Sequence, residues 1–387
     1  MENTKTYRTN LENQRVYNLI WSQMPEMQNR NSSSWWFYLL FPKGEDGYGQ
    51  RQLMYAIAAR VGDRIRVNDI WLPGIDLKRP IINGVDKFHA MNVGWYGDKE
   101  GVHHPYIIKE AAPVVLLEDE RVVRSWSDSS GGDGHGIEIR SSSNRPLALE
   151  TIVRGANGSA HFEAWGDLDS KNSSPHESIN IDTPAGGRHF IAWRRMNFEG
   201  EFELPTGKEH LSGICYFQRP CVNIPLFPWK WIWSLFPDGS MFSSYIPYMG
   251  FNLLRKGYKL FKSERIEQMT LPIAANAFWD WPGPSEEIRF NKASIKPLFD
   301  LGPYPQFEVK VSNNQGDQLS FRAETYGHTS NYIDRPILNN RAEIHWNYNE
   351  FMFRMADLNG RVSGKEINYE TMGQNYGNLE YAWGLGL

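Results

Sequence analysis

The sequence predicts an all-β protein of two related halves, and three observations carry that prediction. Apolar runs of 5 to 9 residues recur every ~10 to 12 residues, separated by clusters of Gly, Pro, Asn and Asp, the rhythm of a sandwich or barrel. Some runs alternate with the period of two that a half-buried strand requires: Phe198, Gly200, Phe202 and Leu204 alternate with Glu199, Glu201 and Glu203. After the N-terminal segment, no stretch carries a helical stripe longer than two or three turns.

Composition narrows the function classes. A chain of 387 residues allows roughly two domains. A net charge of -4 without long like-charge runs gives no electrostatic footprint for nucleic acid. Aromatic residues make up 14 %, with 15 Trp, more than an ordinary core needs, and large aromatics also shape pocket walls. The opening residues hold no apolar signal-peptide core, and no window reaches ~18 uninterrupted apolar residues, so neither secretion nor a transmembrane helix is expected. Cys215 and Cys221 are too few for a disulfide framework and read as reduced thiols of a cytoplasmic protein.

Taken in order, Leu11 to Gln28 carries a rough helical stripe (Leu11, Val16, Leu19, Ile20, Met24), read as a short helix or an arm against a barrel mouth. Strands follow at Trp35–Phe41, Gln50–Val61, Arg64–Leu72, Ala112–Leu117, Arg121–Ser127, Gly136–Ser141, Leu147–Val153, Ala160–Gly166 and His189–Asn197. Gly131 to Gly136 is glycine-rich, but no Lys-Ser/Thr and no helix follow, which makes it a turn and not a phosphate loop. The polar loop Pro205 to Glu209 marks a pause near 195–207, and there the reading divides the chain into domains 1–200 and 201–387.

The second half centres on Phe227 to Gly239. Trp229, Trp231 and Trp233 stand at alternate positions and so share one strand face. Pro237-Asp238-Gly239 is turn chemistry, and Ser240 to Tyr248 returns as a second strand. Such a face suits a large, flat, apolar or polyunsaturated ligand, and suits a plain aromatic core equally well. Further strands are Phe307–Ser312, Leu319–Tyr326, Ala342–Tyr348, Glu350–Ala356 and Gly377–Gly384.

Three motifs, in order, resemble a known family. Trp35-Trp36-Phe37-Tyr38 followed by Gly47 to Gln52, then Trp231-Ile232-Trp233 with Asp238-Gly239, then Tyr376-Gly377-Asn378-Leu379-Glu380-Tyr381 are similar to the motifs of AttH-like proteins. This lipocalin-like group includes hydroxyneurosporene synthase (carotenoid hydratase) and fungal decalin-forming Diels–Alderases. The resemblance implies two lipocalin-like barrels or half-open sandwiches, with a hydrophobic pocket near their interface. It also implies no organic cofactor, and chemistry that hydrates or cyclises unsaturated small molecules. The family commonly places Asp-His-x-Trp-Gly ahead of its Trp-x-Trp strand. Here that place reads Phe217-Gln218-Arg219-Pro220-Cys221, which lacks the acid that would protonate a double bond. The expectation therefore shifts from hydration towards a cofactor-free cyclase or isomerase for a terpenoid, polyene or polyketide. A non-catalytic carrier of hydrophobic ligands and a hydratase with a displaced acid are the alternatives.

Such chemistry needs a mould and a polariser. Trp229, Trp231, Trp233, Tyr216, Tyr245, Tyr248, Trp279 and Trp281 are the candidate wall. Gln218 and Arg219 are candidate donors, with a surface role the alternative for Arg219; Lys230 is expected to face solvent. Asp280, between Trp279 and Trp281, is a candidate acid, since an apolar setting raises a carboxyl pKa; it could also simply cap the following turn. Glu163 alternates with Phe162 and Ala164 and either lines a barrel interior or meets solvent. His210 reads as a surface residue. No His-x-His, His-Glu-x-x-His or Gly-x-Ser-x-Gly pattern occurs, so neither a metal nor a serine nucleophile is expected.

Overall fold

The computed structural model describes residues 2–22, 33–45, 47–60, 64–73, 88–127, 134–166, 174–183, 186–222, 227–254, 269–282, 287–337 and 341–385. The all-β expectation holds. Backbone proximity divides the chain into two units: Met1–Pro42, Leu53–Tyr96 and His103–Ile224 form one, and Lys43–Gln52, Gly97–Val102 and Pro225–Leu387 the other.

The first unit begins with a helix, α1 (Glu2–Leu19). Its strands are β1 (Ser33–Gly44), β2 (Gln52–Arg60), β3 (Phe88–Asp98), β4 (Ile108–Leu117), β5 (Val122–Trp126) and β6 (Gly136–Ser141). They continue with β7 (Leu149–Gly155), β8 (Gly158–Trp165), β9 (His176–Thr183), β10 (Gly186–Leu204) and β11 (Gly207–Val222). Neighbours run β8-β7-β6-β5-β4-β3-β2-β1-β11-β10, and β8 pairs β10, so ten antiparallel strands close into a barrel. Closure leaves no unpaired edge among these strands. Period two sends Trp36, Tyr38, Phe162, Phe198 and Phe217 inward.

The end of α1 fills this barrel. Val16, Tyr17, Ile20 and Trp21 are buried with the strand residues, and Tyr17 meets Trp21 and Trp193 edge-on, both at 5.9 Å. The Tyr17 hydroxyl lies 2.7 Å from Ser141 Oγ, and the Trp36 indole donates to the Ile20 carbonyl at 3.1 Å. The helix starts earlier than the sequence stripe suggests, and positions 23–28 of that stripe lie outside the described residues.

The second unit contains β12 (Trp229–Leu235), β13 (Met241–Gly250), β14 (Asn276–Asp280), β15 (Ile288–Phe290), β16 (Lys292–Leu298) and β17 (Gln306–Ser312). After them come β18 (Gln318–Ile337), β19 (Ala342–Val362), β20 (Lys365–Asn368), a one-turn helix α2 (Tyr369–Met372) and β21 (Tyr376–Gly384). The sheet order is β15-β14-β13-β12-β21-β19-β18-β17-β16. One face packs its own core around Ile232, Trp279, Phe351, Leu379, Tyr381 and Trp383. The expected hairpin is present: Leu235 pairs Met241, and Gly239, at φ +86°, donates to the Phe236 carbonyl at 2.8 Å.

Three differences from the sequence reading have physical reasons. Pro205-Thr206 is a two-residue hairpin loop, with Leu204 paired to Gly207 at φ +127°, and β11 lies within the first unit. Turn chemistry looks alike in a hairpin and in a linker, which is why the pause near 195–207 reads as a boundary. Asn349 reads as a break between the strands Ala342–Tyr348 and Glu350–Ala356 yet lies inside the single 21-residue β19. The run Phe88–Asp98 carries Asn92, Gly94 and Gly97 and shows no strand signal, although Phe88 to Gly94 pairs with β4.

Candidate functional site

The register of four strands builds the site. Trp231 stands opposite Tyr245 on β13 and opposite Glu380 on β21, and Glu380 stands opposite Glu350 on β19. Strand alternation therefore places Trp229, Trp231, Trp233, Tyr245, Tyr348, Glu350 and Glu380 on one face. Ile232, Phe351, Leu379 and Tyr381 turn to the other face, into the core. The three tryptophans thus share a face, as their spacing predicts.

Two carboxyl groups meet on this face. Glu380 is 5 % exposed and Glu350 1 %. The Tyr348 hydroxyl lies 2.6 Å from Glu350 Oε1 and 2.7 Å from Glu380 Oε1, and the Trp229 indole donates to Glu380 Oε2 at 2.6 Å. A phenol has one proton to give. Both contacts are hydrogen bonds only if one carboxyl is protonated and donates to the phenolic oxygen. Glu380 is that group: burial, and then the charge of Glu350, push its pKa up to about 8, against the opposing pull of the Trp229 bond. Burial and the two carboxylates also hold the Tyr348 phenol well above its usual range, so it keeps its proton. The result is a relay, Glu380–Tyr348–Glu350, with one mobile proton. Trp229 covers it, its ring 5.0 Å from Trp346, 6.1 Å from Tyr348 and 6.3 Å from Tyr245. An acid with apolar aromatic cover is an arrangement that protonates or polarises weak bases.

The sequence candidates distribute unevenly. Trp229, Trp231 and Tyr245 surround the relay. Trp233 shares their face further along and donates to Met241 Sδ at 3.1 Å. Asp280 is on that face too, 3 % exposed and opposite Met241, but four positions along the strands from the Glu380 row, about 13 Å. Trp279 turns into the core and Trp281 packs on it at 5.2 Å, so these indoles flank Asp280 in sequence and not about its carboxyl. Tyr248 belongs to the core face, below Lys230.

In the first unit, the Tyr216 hydroxyl donates to Gln218 Oε1 at 3.0 Å. Arg219 is fully buried; it donates to the Leu19 carbonyl and, at 2.6 Å, to that of Ser22, with its guanidinium 4.9 Å from the Trp36 ring. It fastens the end of α1. Phe162 and Ala164 point into the barrel, so Glu163 takes the outer face, with Ser142 and Arg145 as partners. His210 is exposed, as expected, between Glu199 and Glu201.

Lys230 corrects an expectation. It is 2 % exposed, donates to the Ile295 carbonyl at 3.0 Å and sits over the rings of Tyr248 (4.5 Å) and Tyr381 (4.9 Å). Strand alternation identified the face correctly, but that face is the core and not solvent. Glu380, Glu350 and Tyr348 went unnoticed as chemistry. The available signal was a lone acid inside the apolar run Leu379-Glu380-Tyr381-Ala382-Trp383, where an ordinary solvent-facing glutamate has no place.

No protein-family model matches this chain, and no curated protein matches it. Similar solved structures exist. A protein assigned as AttH from Nitrosomonas europaea is 10% identical, with a TM-score of 0.49 over 90% of this chain and 91% of that one. Kievitone hydratase from Nectria haematococca is 13% identical, with a TM-score of 0.45 over 93% and 92%. CghA is 8% identical, with a TM-score of 0.48 over 92% and 89%. These likenesses are of fold. No helix among the described residues is long and apolar enough to cross a membrane.

Proposed function

We propose that the Glu380–Tyr348–Glu350 relay is the acid of a cyclase or isomerase acting on an apolar, unsaturated small molecule of terpenoid, polyene or polyketide type. The observation that carries this reading is a carboxyl group that keeps its proton near neutral pH beneath an aromatic wall. Glu380 donates its proton to a carbonyl oxygen or alkene carbon of the substrate, and the positive charge that develops is met by the faces of Trp229 and Trp231. Loss of a proton from another substrate position to the Glu380 or Glu350 carboxylate restores the starting state. Protons balance, nothing is added, and carboxyl chemistry alone suffices.

Hydration is a second reading, favoured by the same acid. The missing family Asp argued against it, and Glu380 supplies a proton donor from another strand. Product mass separates the two, because a hydratase adds one water and an isomerase adds nothing.

The test is incubation of the purified chain with a panel of linear polyenes and polyketides, read by chromatography and mass. An isomeric product, lost in Glu380→Gln by about 100-fold or more while ligand affinity stays, is the expected result. Bound but unchanged ligands across the panel would leave a carrier and sink the enzyme reading.

A further inference from the structure

The far end of the β18–β19 hairpin holds a second cluster, on the sheet face opposite Glu380. Asp334 and His345 are direct cross-strand partners. Glu343 precedes His345 by two residues and Tyr332 precedes Asp334 by two, so strand alternation puts all four side chains on one face. Asp334 is 1 % exposed and the His345 ring 12 %, while Glu343 reaches the surface. One carboxylate oxygen from each acid and a ring nitrogen of His345 all lie within 4.8 Å of one another. His345 Nδ1 has two oxygen partners at once, Asp334 Oδ1 and the Tyr332 hydroxyl at 2.9 Å.

We propose that Asp334, Glu343 and His345 bind a divalent first-row transition metal ion, of which Zn²⁺ is representative. Ligands held at about 2.0–2.2 Å from one ion lie up to about 4.4 Å apart, so a small rotation of the exposed Glu343 closes the set. Charge points the same way. The two carboxylates share one imidazole, which leaves a net negative charge on these three groups whether or not the ring is protonated. A dication with a neutral ring brings the sum to zero. One imidazole among oxygen donors suits zinc, cobalt or iron better than calcium or magnesium. The bound ion ties β18 to β19 where the hairpin ends, and it has no part in the relay on the other face.

The experiment uses the full chain after chelator treatment and dialysis. Titration with Co²⁺ is followed by visible d–d absorption, and Zn²⁺ by calorimetry and thermal unfolding. The expected result is saturable one-to-one binding and a Zn²⁺-dependent rise in Tm. Both weaken at least about tenfold in Glu343→Gln, whose exposed position spares the fold, and in His345→Ala. His210→Ala, in the exposed histidine–glutamate group of the first unit, leaves them unchanged. Absence of saturable binding overturns the proposal. So does binding that survives both Glu343→Gln and His345→Ala, or that is lost in His210→Ala.

Discussion

At the scale of single residues, the proposed chemistry rests on the protonation state of Glu380. That chemistry needs the acid form, so the activity expected of it falls as pH rises through about 8. The Trp229 bond favours the carboxylate, so Trp229→Phe moves that falling limb to higher pH, while Tyr348→Phe breaks the relay and lowers kcat, about 10-fold or more. A pH–rate profile of each variant reads these effects, and an unchanged kcat in Tyr348→Phe would remove Tyr348 from the relay. Stability has the same origin. Between the ordinary glutamate value of 4.5 and about 8, the folded chain holds a proton that the unfolded chain has released. Stability from this group is therefore full below that window and is lost as pH rises through it. Urea unfolding at about pH 5 and about pH 9 should show wild type losing on the order of a few kcal/mol from this group, with the loss absent in Glu380→Gln.

At the scale of elements, α1 is held by one side chain more than by its own sequence. Glu2–Leu19 carries no strong apolar stripe, and its position comes from Val16, Tyr17, Ile20 and Trp21 inside the barrel and from Arg219 at its end. Arg219→Ala orphans two carbonyls and opens a cavity beside Trp36, at a cost of about 3 kcal/mol. Hydrogen exchange should then show residues 16–22 opening ahead of the strands; global unfolding with no early opening would mean that the helix is secured elsewhere. Legibility also varied by element. One short strand that opens on a glycine, Gly136–Ser141, is placed from sequence to the residue. The long strand β19 reads as two, because Asn349 is a turn residue set among polar neighbours. Those polar groups are satisfied inside the sheet: Asn349 donates to Asn347 Oδ1 at 2.6 Å and to the Tyr381 carbonyl, and Tyr348 bridges the two glutamates. The break at Asn349 stands between two residues of the site, Tyr348 and Glu350, and local rules fail there because long-range partners supply the compensation.

At the scale of the molecule, two β units were visible in the strand rhythm, but their seam was not. Alternation reports which face a residue takes and not which segment it joins. Lys43–Gln52 belongs to the second unit despite its position in the chain. There, buried Gln52 donates to the Gly377 carbonyl at 2.9 Å and accepts from Asn378 at 3.1 Å, and Tyr326 donates to the Gln50 carbonyl at 3.1 Å. A fragment of residues 225–387 lacks these partners. It should unfold at lower temperature than the same unit in the whole chain, and Gln52→Ala in the whole chain should cost about 1–3 kcal/mol. Equal melting of fragment and chain would show the second unit to be self-sufficient.

The plugged barrel also sets an order of events during synthesis. Leu19 meets Arg219 across 200 positions of sequence. The aromatic side chains of Tyr17 and Trp21 leave the ribosome long before the strands that enclose them exist. The ring cannot shut around them until β1 meets β11, a late, long-range closure of the slow kind. Until then a nascent chain carries an uncovered apolar hook ahead of the barrel strands, the kind of surface that holding chaperones grip. Within this unit, a segment made before the strands is secured only after them.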